Sequence, residues 1–228
     1  MAGAPVPSIE RMTLLERGVH GLTALSVLLL LFSGLALAYH HTPWGSALIS
    51  AMGGPEGRHL LHRVAAAGLL LATLLHVAAY FGNRRYRDDV RGLRLRREDW
   101  VEFGRNLRYN WTRSGPPGRY GRFTPGQKVQ YWGIVAGCLL MTVSGLFLWL
   151  PQATLSLFPK AFFDFMLVLH SKEAQLILIL LFLWHLYDVH VAGGNFPMNP
   201  SWLTGRMRLD LYRRQHPADP DLPEEEAP

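Results

Sequence analysis

Four apolar stretches, each long enough to cross a lipid bilayer, constrain the fold of this chain more than any other feature. They cover about residues 19–39, 58–81, 128–150 and 162–191. A bilayer core about 30 Å thick requires about 20 consecutive apolar residues of helix. Backbone polar groups in hydrocarbon must be paired within their own segment. We therefore predict an all-α membrane protein, a bundle of four transmembrane helices.

The charged residues support a membrane protein rather than a nucleic-acid-binding one. The net charge is +6 and the pI is near 9.8, but the arginines flank apolar spans, as at a membrane surface. With Cys138 as the single cysteine, an internal disulfide and a cysteine-based iron–sulfur or zinc site are excluded. The absence of a CxxCH motif argues against covalently attached haem. Residues 1–18 have neither the apolar core nor the cleavage site of a signal peptide, so the first span is expected to remain.

The segments between the spans predict the orientation of the chain. Both flanking tails and the loop 82–127 are rich in arginine, so we expect both termini and this loop in the cytoplasm of a bacterial or archaeal cell. Within the loop, residues 98–111 have the apolar spacing of an interfacial helix. Residues 40–57 are predicted as a short loop because they contain helix-breaking glycines and prolines, and residues 151–161 as a second one after Pro151 ends the third span. The four-helix domain covers residues 1–215, and the acidic, proline-rich residues 216–228 predict a disordered tail.

Histidines in the second and fourth spans point to function, since ionisable side chains are costly in hydrocarbon. His170 and His185 are 15 residues apart, which corresponds to about 22 Å of helix and a difference of about 60° around the axis. His62 and His76 are 14 residues apart, or about 21 Å. Because both spans begin on the outer side, one histidine of each lies near each membrane face.

Two facing imidazoles suit the axial positions of a haem iron, and helix bundles build such sites in their cores. The spacing therefore predicts an outer haem held by His62 and His170, and an inner haem held by His76 and His185. For a single membrane histidine, an interhelical hydrogen bond is an equally good explanation. Matched spacing on two helices favours haem.

Two further histidines leave alternatives open on the inner side. His20 opens the first span at the level of His76 and His185, so it is a second candidate for the inner iron. His190 lies about 200° from His170 around the helix. It either bonds a neighbour, lies at the interface, or binds a third haem with His20.

Cationic and small residues near these histidines fit a haem as well. Haem propionates are anionic and favour cations near each membrane edge. The candidates are Arg58, Arg63 and Lys172 on the outer side, and Arg17, Arg84 and Arg85 on the inner side. Ordinary interface anchoring explains each of them equally well. Gly34 and Gly145 would allow a flat ring or a neighbouring helix to approach closely.

Short motifs at the span ends give the chain a family resemblance. They are Glu16-Arg17-Gly18-Val19-His20, Gly57-Arg58 through His62-Arg63, Pro125-Gly126-Gln127-Lys128 with Tyr131-Trp132, Ser144-Gly145 with Trp149, and His170 through Trp184-His185-Leu186-Tyr187. With these residues the chain resembles the membrane cytochrome b subunits of the formate dehydrogenase gamma and hydrogenase b-type cytochrome family. The resemblance covers nearly all of residues 10–215.

The resemblance implies four spans, two b haems and quinone chemistry at the cytoplasmic side. It implies His62 and His170 as ligands of the outer haem, and His20 and His185 as ligands of the inner one. Gly126, Gln127 and Lys128 match the family's entry to the third span, beside its quinone pocket. Gln127 is therefore a candidate quinone partner, unless Gln127 and Lys128 only cap the helix end.

We predict a di-haem cytochrome b subunit of an oxidoreductase complex. It would move electrons between an outer redox subunit, either iron–sulfur or multihaem cytochrome c, and the quinone pool. One alternative is a stand-alone transmembrane cytochrome b. Another is a histidine-based proton-conducting bundle, which needs acidic groups deep in the spans. Only Glu173 and Asp188 are acidic candidates, and both are expected near span ends.

Overall fold

The structure, a computed structural model, describes residues 7–222 and is helical almost throughout. Its helices are α1 (Leu14–Ala38), α2 (Pro43–Ala51), α3 (Gly54–Gly82), α4 (Arg84–Gly92), α5 (Arg97–Thr112), α6 (Pro125–Trp149), α7 (Pro151–Leu157), α8 (Lys160–Leu180), α9 (Leu186–His190), α10 (Ser201–Thr204) and α11 (Leu209–Gln215). A π-helical turn, Leu181–His185, joins α8 to α9, and a 3₁₀ turn covers Ala192–Gly194. Two short strands are β1 (Ser8–Glu10) and β2 (Arg206–Arg208).

Four of these helical segments are long and apolar enough to cross a membrane: α1, α3, α6, and α8 continued to His190. The prediction of an all-α membrane protein with four spanning helices is therefore confirmed. The helices extend a few residues beyond the predicted spans, because helix geometry continues into the polar flanks.

Prolines explain why two of the predicted loops were wrong. Residues 40–57 contain α2, and residues 151–161 contain α7. Pro43 and Pro151 each lie in the first turn of a helix, where proline lacks only an N–H that would be unpaired anyway. The Thr42 hydroxyl caps α2 by accepting from the Gly45 N–H at 3.2 Å. A proline that follows one helix can thus begin the next one.

The predicted interfacial helix is present as α5, and the loop around it also contains α4. Apolar side chains on α5 are exposed, namely Trp100, Phe103, Leu107 and Trp111. The beginning of α5 is fixed by Lys128, whose Nζ lies 2.6 Å from Asp99 Oδ1, with both side chains nearly buried. An interfacial position for α5 stays a prediction.

The chain divides into two compact units. The span unit comprises Leu15–Ala78 and Ile134–Tyr187. Its buried positions are mostly small or of moderate size, including Ser33, Ala36, Ala65, Ala72 and Ser144, while many leucines and phenylalanines are exposed. This is the pattern expected in lipid, where small residues let helices approach and apolar side chains face the bilayer.

The polar unit comprises the chain up to Leu14, Ala79–Gly133, and the chain from Asp188. In it β1 and β2 pair antiparallel, with Ile9 opposite Met207. Met207 and Tyr212 are fully buried. Tyr212 receives a hydrogen bond from Arg11 at 3.1 Å and donates one to Asp219.

Residues 216–222 of the predicted disordered tail include contacts with an earlier part of the chain. His216 is buried, and its Nδ1 lies 2.7 Å from the Gly121 carbonyl oxygen. The Ala218 N–H donates to the Tyr120 carbonyl at 3.0 Å. Burial first, and the charge of Arg11 second, lower the pKa of His216 to about 4. These contacts with a distant segment were invisible in the composition, and the rest of the predicted tail, residues 223–228, lies outside the described residues.

Candidate functional site

The outer histidine pair is assembled from α3 and α8 within the span unit. The ring centroids of His62 and His170 are 6.4 Å apart. An imidazole nitrogen lies about 2.0 Å from a bound first-row metal ion, so with ring centres about 1.1 Å further back, two imidazoles on opposite sides of one ion would have centroids about 6.2 Å apart. A direct hydrogen bond of about 3 Å between the rings would bring the centroids to about 5 Å. The observed distance fits a metal between the rings.

The inner pair consists of His20 on α1 and His185 in the π turn. Their centroids are 6.3 Å apart, which fits the same arrangement. The structure thus brings together the pair implied by the family resemblance. His76, the partner favoured by spacing, is half-buried on α3, and its role stays a prediction.

The π turn explains why helical spacing was a poor guide to the inner pair. The pairing predicted from spacing assumes about 3.6 residues per turn along the whole fourth span. In the turn Leu181–His185, the N–H of Leu186 bonds the carbonyl of Leu181, five residues back. Each such turn adds about one residue, or about 100° of rotation, relative to a regular helix. The orientation of His185 could not be calculated without it.

Two serines hold the rings of the outer pair. Ser33 Oγ on α1 lies 2.8 Å from His62 Nδ1, and Ser144 Oγ on α6 lies 2.9 Å from His170 Nδ1. Both serines are fully buried. With Nδ1 engaged in this way, Nε2 of each ring is the nitrogen left for a metal. Sequence reasoning missed Ser33 and gave Ser144 no role, although both occur in a repeated apolar–Ser–Gly–Leu pattern.

A haem satisfies these two histidine pairs better than a bare cation. Among residues 7–222, no group of three or more His, Cys, Asp or Glu side chains could hold a metal ion. Structural zinc sites use four protein ligands. A haem brings four nitrogens of its own and needs only two further ligands, which each pair would provide.

The cationic candidates on the outer side have defined contacts. Arg58 donates to the Ser33 carbonyl oxygen at 3.2 Å, at the turn that holds His62. The Arg63 guanidinium lies 5.0 Å from the ring centre of Trp149. Lys172 is exposed, and Arg17 on α1 is half-buried. Arg58 is therefore the cation most directly linked to a histidine site.

The quinone candidates at the beginning of α6 have structural contacts. The Thr124 N–H donates to Gln127 Oε1 at 3.0 Å, and the Gln127 N–H donates to Thr124 Oγ1 at 3.3 Å. This is a capping box. Lys128 pairs with Asp99, and Gly126 is half-buried. The contacts match the helix-capping alternative and leave the quinone role a prediction.

His190 has a local partner in the polar unit. Its Nδ1 lies 3.0 Å from the Pro197 carbonyl oxygen. A carbonyl can only accept, so Nδ1 carries the proton in this contact. His20, its proposed partner for a third haem, is adjacent to His185 instead. The bonded-neighbour alternative accounts for His190 without another cofactor.

Four apolar spans with imidazole pairs at metal-spanning distance define a membrane cytochrome of the b type. The chain belongs to the prokaryotic cytochrome b561 family, whose model matches residues 11–193. It is 28% identical over 203 residues to the formate dehydrogenase cytochrome b556(fdo) subunit of Escherichia coli K12, covering 86% of each chain. It is 22% identical over 210 residues to the nitrate-inducible formate dehydrogenase cytochrome b556(Fdn) subunit of the same strain, covering 92% of this chain and 88% of the relative. The family carries haem b, and the resemblance inferred from the sequence motifs is confirmed.

Proposed function

We propose that the chain is the di-haem membrane subunit of an oxidoreductase complex. In this role it moves electrons between a redox subunit at the outer face and the quinone pool at the inner face. The observation that carries the proposal is the presence of two imidazole pairs, each with a centroid distance that fits one iron.

The two pairs differ in depth, as residue spacing along the fourth and first spans indicates. On the fourth span, His170 and His185 are separated by 15 residues, or about 22 Å of rise. On the first span, Ser33 beside the outer pair and His20 of the inner pair are 13 residues apart, or about 20 Å. A bound haem supplies reversible one-electron exchange at its iron. The chain supplies ligands, an apolar surrounding and the separation that takes charge across most of the bilayer core.

A partner subunit at the outer face is supported by the relatives. Both are named as cytochrome b556 subunits of formate dehydrogenases, and both are matched over most of their length. We propose an iron–sulfur or multihaem cytochrome c subunit as the partner of this chain. Because both relatives are subunits of complexes, they favour a complex subunit over a stand-alone cytochrome.

The quinone end of the path is proposed at the cytoplasmic side, near Gly126, Gln127 and Lys128. The arginine-rich flanks and the loop 82–127 support this orientation, with both termini in the cytoplasm. Protons for quinone reduction would then come from the cytoplasm. A Gln127→Ala variant tests the position, since a quinone contact predicts slower reoxidation of the reduced cytochrome by an added quinone analogue, with both haems retained.

The histidine assignments are tested by counting haem in purified variants. The unmodified chain should contain two haem b per polypeptide by the pyridine haemochrome assay. His62→Ala and His20→Ala should each lose one haem, and each should remove a different component of a redox titration. His76→Ala and His190→Ala should retain both.

Three results would contradict the proposal or one of its assignments. A chain made with ample haem that contains none would refute it. Loss of one haem in His76→Ala, with full retention in His20→Ala, would restore the pairing calculated from spacing. A third haem that disappears in His190→Ala would show that the count of two is wrong.

A further inference from the structure

The hydroxyl groups of Ser33 and Ser144 have a geometry that goes beyond holding a ring in place. We propose that these serines fix the tautomer of the two outer histidines and lower the midpoint potential of the outer haem. The inference rests on the proposed function, because it assigns the outer iron to His62 and His170. It adds two positioning residues that do not touch the cofactor.

The Ser33 hydroxyl has a single proton to donate. Its oxygen lies 2.6 Å from the carbonyl oxygen of Leu29, one turn back on α1. A carbonyl has no proton to give, so a contact this short requires the hydroxyl to donate to it. Having donated its only proton, Ser33 Oγ can only accept from His62 Nδ1 at 2.8 Å. His62 must therefore carry its proton on Nδ1, which leaves the Nε2 lone pair for iron.

Ser144 repeats the arrangement on α6. Its hydroxyl lies 2.8 Å from the Leu140 carbonyl oxygen and 2.9 Å from His170 Nδ1. The same count of protons assigns Nδ1–H to His170. Backbone-bonded serines of this kind are rigid acceptors, because their one rotatable proton is already committed.

The glycine after each serine completes the half-site. A Cβ on Gly34 would lie 3.7 Å from His62 Cε1, and a Cβ on Gly145 would lie 3.2 Å from His170 Cε1. Each Ser–Gly pair lies five residues before the end of its helix, at Ala38 and Trp149. The outer site is thus built from two equivalent halves, each with one Ser–Gly turn and one histidine.

The expected effect on the iron follows from the direction of the hydrogen bond. An acceptor on Nδ1–H makes the imidazole a stronger donor through Nε2. A stronger donor stabilises ferric iron more than ferrous iron, so the midpoint potential falls. Removing the acceptor should raise the potential of the outer haem and leave that of the inner haem unchanged.

The test is a potentiometric titration of the purified membrane protein with its haems bound. The outer component is identified as the one lost in His62→Ala. In Ser33→Ala and Ser144→Ala its potential should rise by about 60 mV, which is a tenfold change in the ferric-to-ferrous ratio of a one-electron couple. Ser33→Thr should keep the midpoint potential of the original chain, since a threonine hydroxyl also bonds the carbonyl one turn back.

Ser26→Ala provides the matched control. Ser26 is buried on the same face of α1, two turns before Ser33, and its hydroxyl lies next to Gly68. This variant should keep both haems at their original potentials. An alanine variant that instead loses the outer haem, with recovery in Ser33→Thr, supports the same positioning role.

Two negative results are distinguishable. If the outer haem is present, is lost in His62→Ala, and has an unchanged potential in both serine variants, the serines do not tune it and the inference is wrong. If His62→Ala retains every haem, the ligand assignment itself fails. A fall in potential in the serine variants would show that the hydroxyls donate to the rings, contrary to the proton count.

Discussion

Replacing each glycine of the two Ser–Gly turns with alanine is expected to affect the two halves of the outer site differently, with faster haem loss only in Gly145→Ala. In Gly145→Ala, the new Cβ would lie 3.2 Å from His170 Cε1 and 3.8 Å from its Nδ1. A contact of 3.2 Å is tighter than nine in ten Cβ contacts in proteins, so the ring must move by a few tenths of an ångström. The Ser144 hydroxyl, 2.9 Å from His170 Nδ1, restricts that movement on one side, and a bound haem iron would restrict it on the other.

Gly34→Ala is the control supplied by the fold itself. Its Cβ would lie 3.7 Å from His62 Cε1, which is ordinary van der Waals contact. Alanine is also the better helix former, by about 1 kcal/mol relative to glycine. This variant should therefore be at least as stable as the original chain and should keep its outer haem.

The magnitude for Gly145→Ala follows from the tolerance of a ligand site. Ligands must be held within about 0.5 Å of their working geometry. Disturbing the partner that orients a metal ligand typically weakens binding by about 10–100-fold. A displacement of a few tenths of an ångström should give an effect at the lower end of this range of about 10–100-fold. We expect about tenfold faster loss of the outer haem, or about 1.4 kcal/mol.

Haem transfer to excess apomyoglobin measures this loss directly, with the inner haem as an internal reference. The variants should separate, with Gly34→Ala like the original chain and Gly145→Ala faster only in the outer component. Equal rates for both variants would refute the reasoning, because the distances predict a difference between them. Faster loss of the outer haem from Gly34→Ala alone would show the reverse of the predicted difference.

Two further predictions concern the polar unit. The pKa of His216 is lowered to about 4, mainly by burial, against about 6.5 when unfolded, so its stabilising effect is complete above about pH 6.5 and lost as the pH falls toward 4, by about 1.4 kcal/mol per pH unit. Hydrogen exchange of residues 209–222 should therefore quicken from pH 7 to pH 5, and an equal change in His216→Asn would contradict this origin. Lys128→Met should destabilise the fold by about 3 kcal/mol because it leaves the nearly buried Asp99 carboxylate without its 2.6 Å partner. Thermal unfolding should show partial recovery in Lys128→Met with Asp99→Asn, and additive effects would argue against the pair.

The four spans were predictable because length and apolarity decide a membrane helix almost alone. The outer pair was predictable for a related reason: His62 and His170 each lie on a regular stretch of helix, so counting residues gives depth. The inner pair was not predictable from spacing. The π turn at Leu181–His185 changes the helical phase, and a π turn leaves no reliable mark in a single sequence.

The serines and the polar unit illustrate a second limit of sequence reasoning. Ser33 in an apolar helix is compatible with packing, back-bonding or ligand support, and only its distance to His62 distinguishes them. Prolines and acidic residues dominate the composition of the tail from His216, and that composition predicts disorder. Its order comes from Tyr120 and Gly121, nearly 100 residues earlier, and composition contains no information about such partners.

The pairing of β1 with β2 has a consequence for biosynthesis. Ser8 is aligned with Arg208, so the first strand finds its partner only after 200 further residues have been made. At about 5–20 residues per second, translation takes about 10–40 s to supply that partner. During this interval the amino-terminal strand cannot yet pair with β2, and all four hydrophobic segments are synthesised. Closure of the strand pair therefore marks a chain whose four spans have all been synthesised.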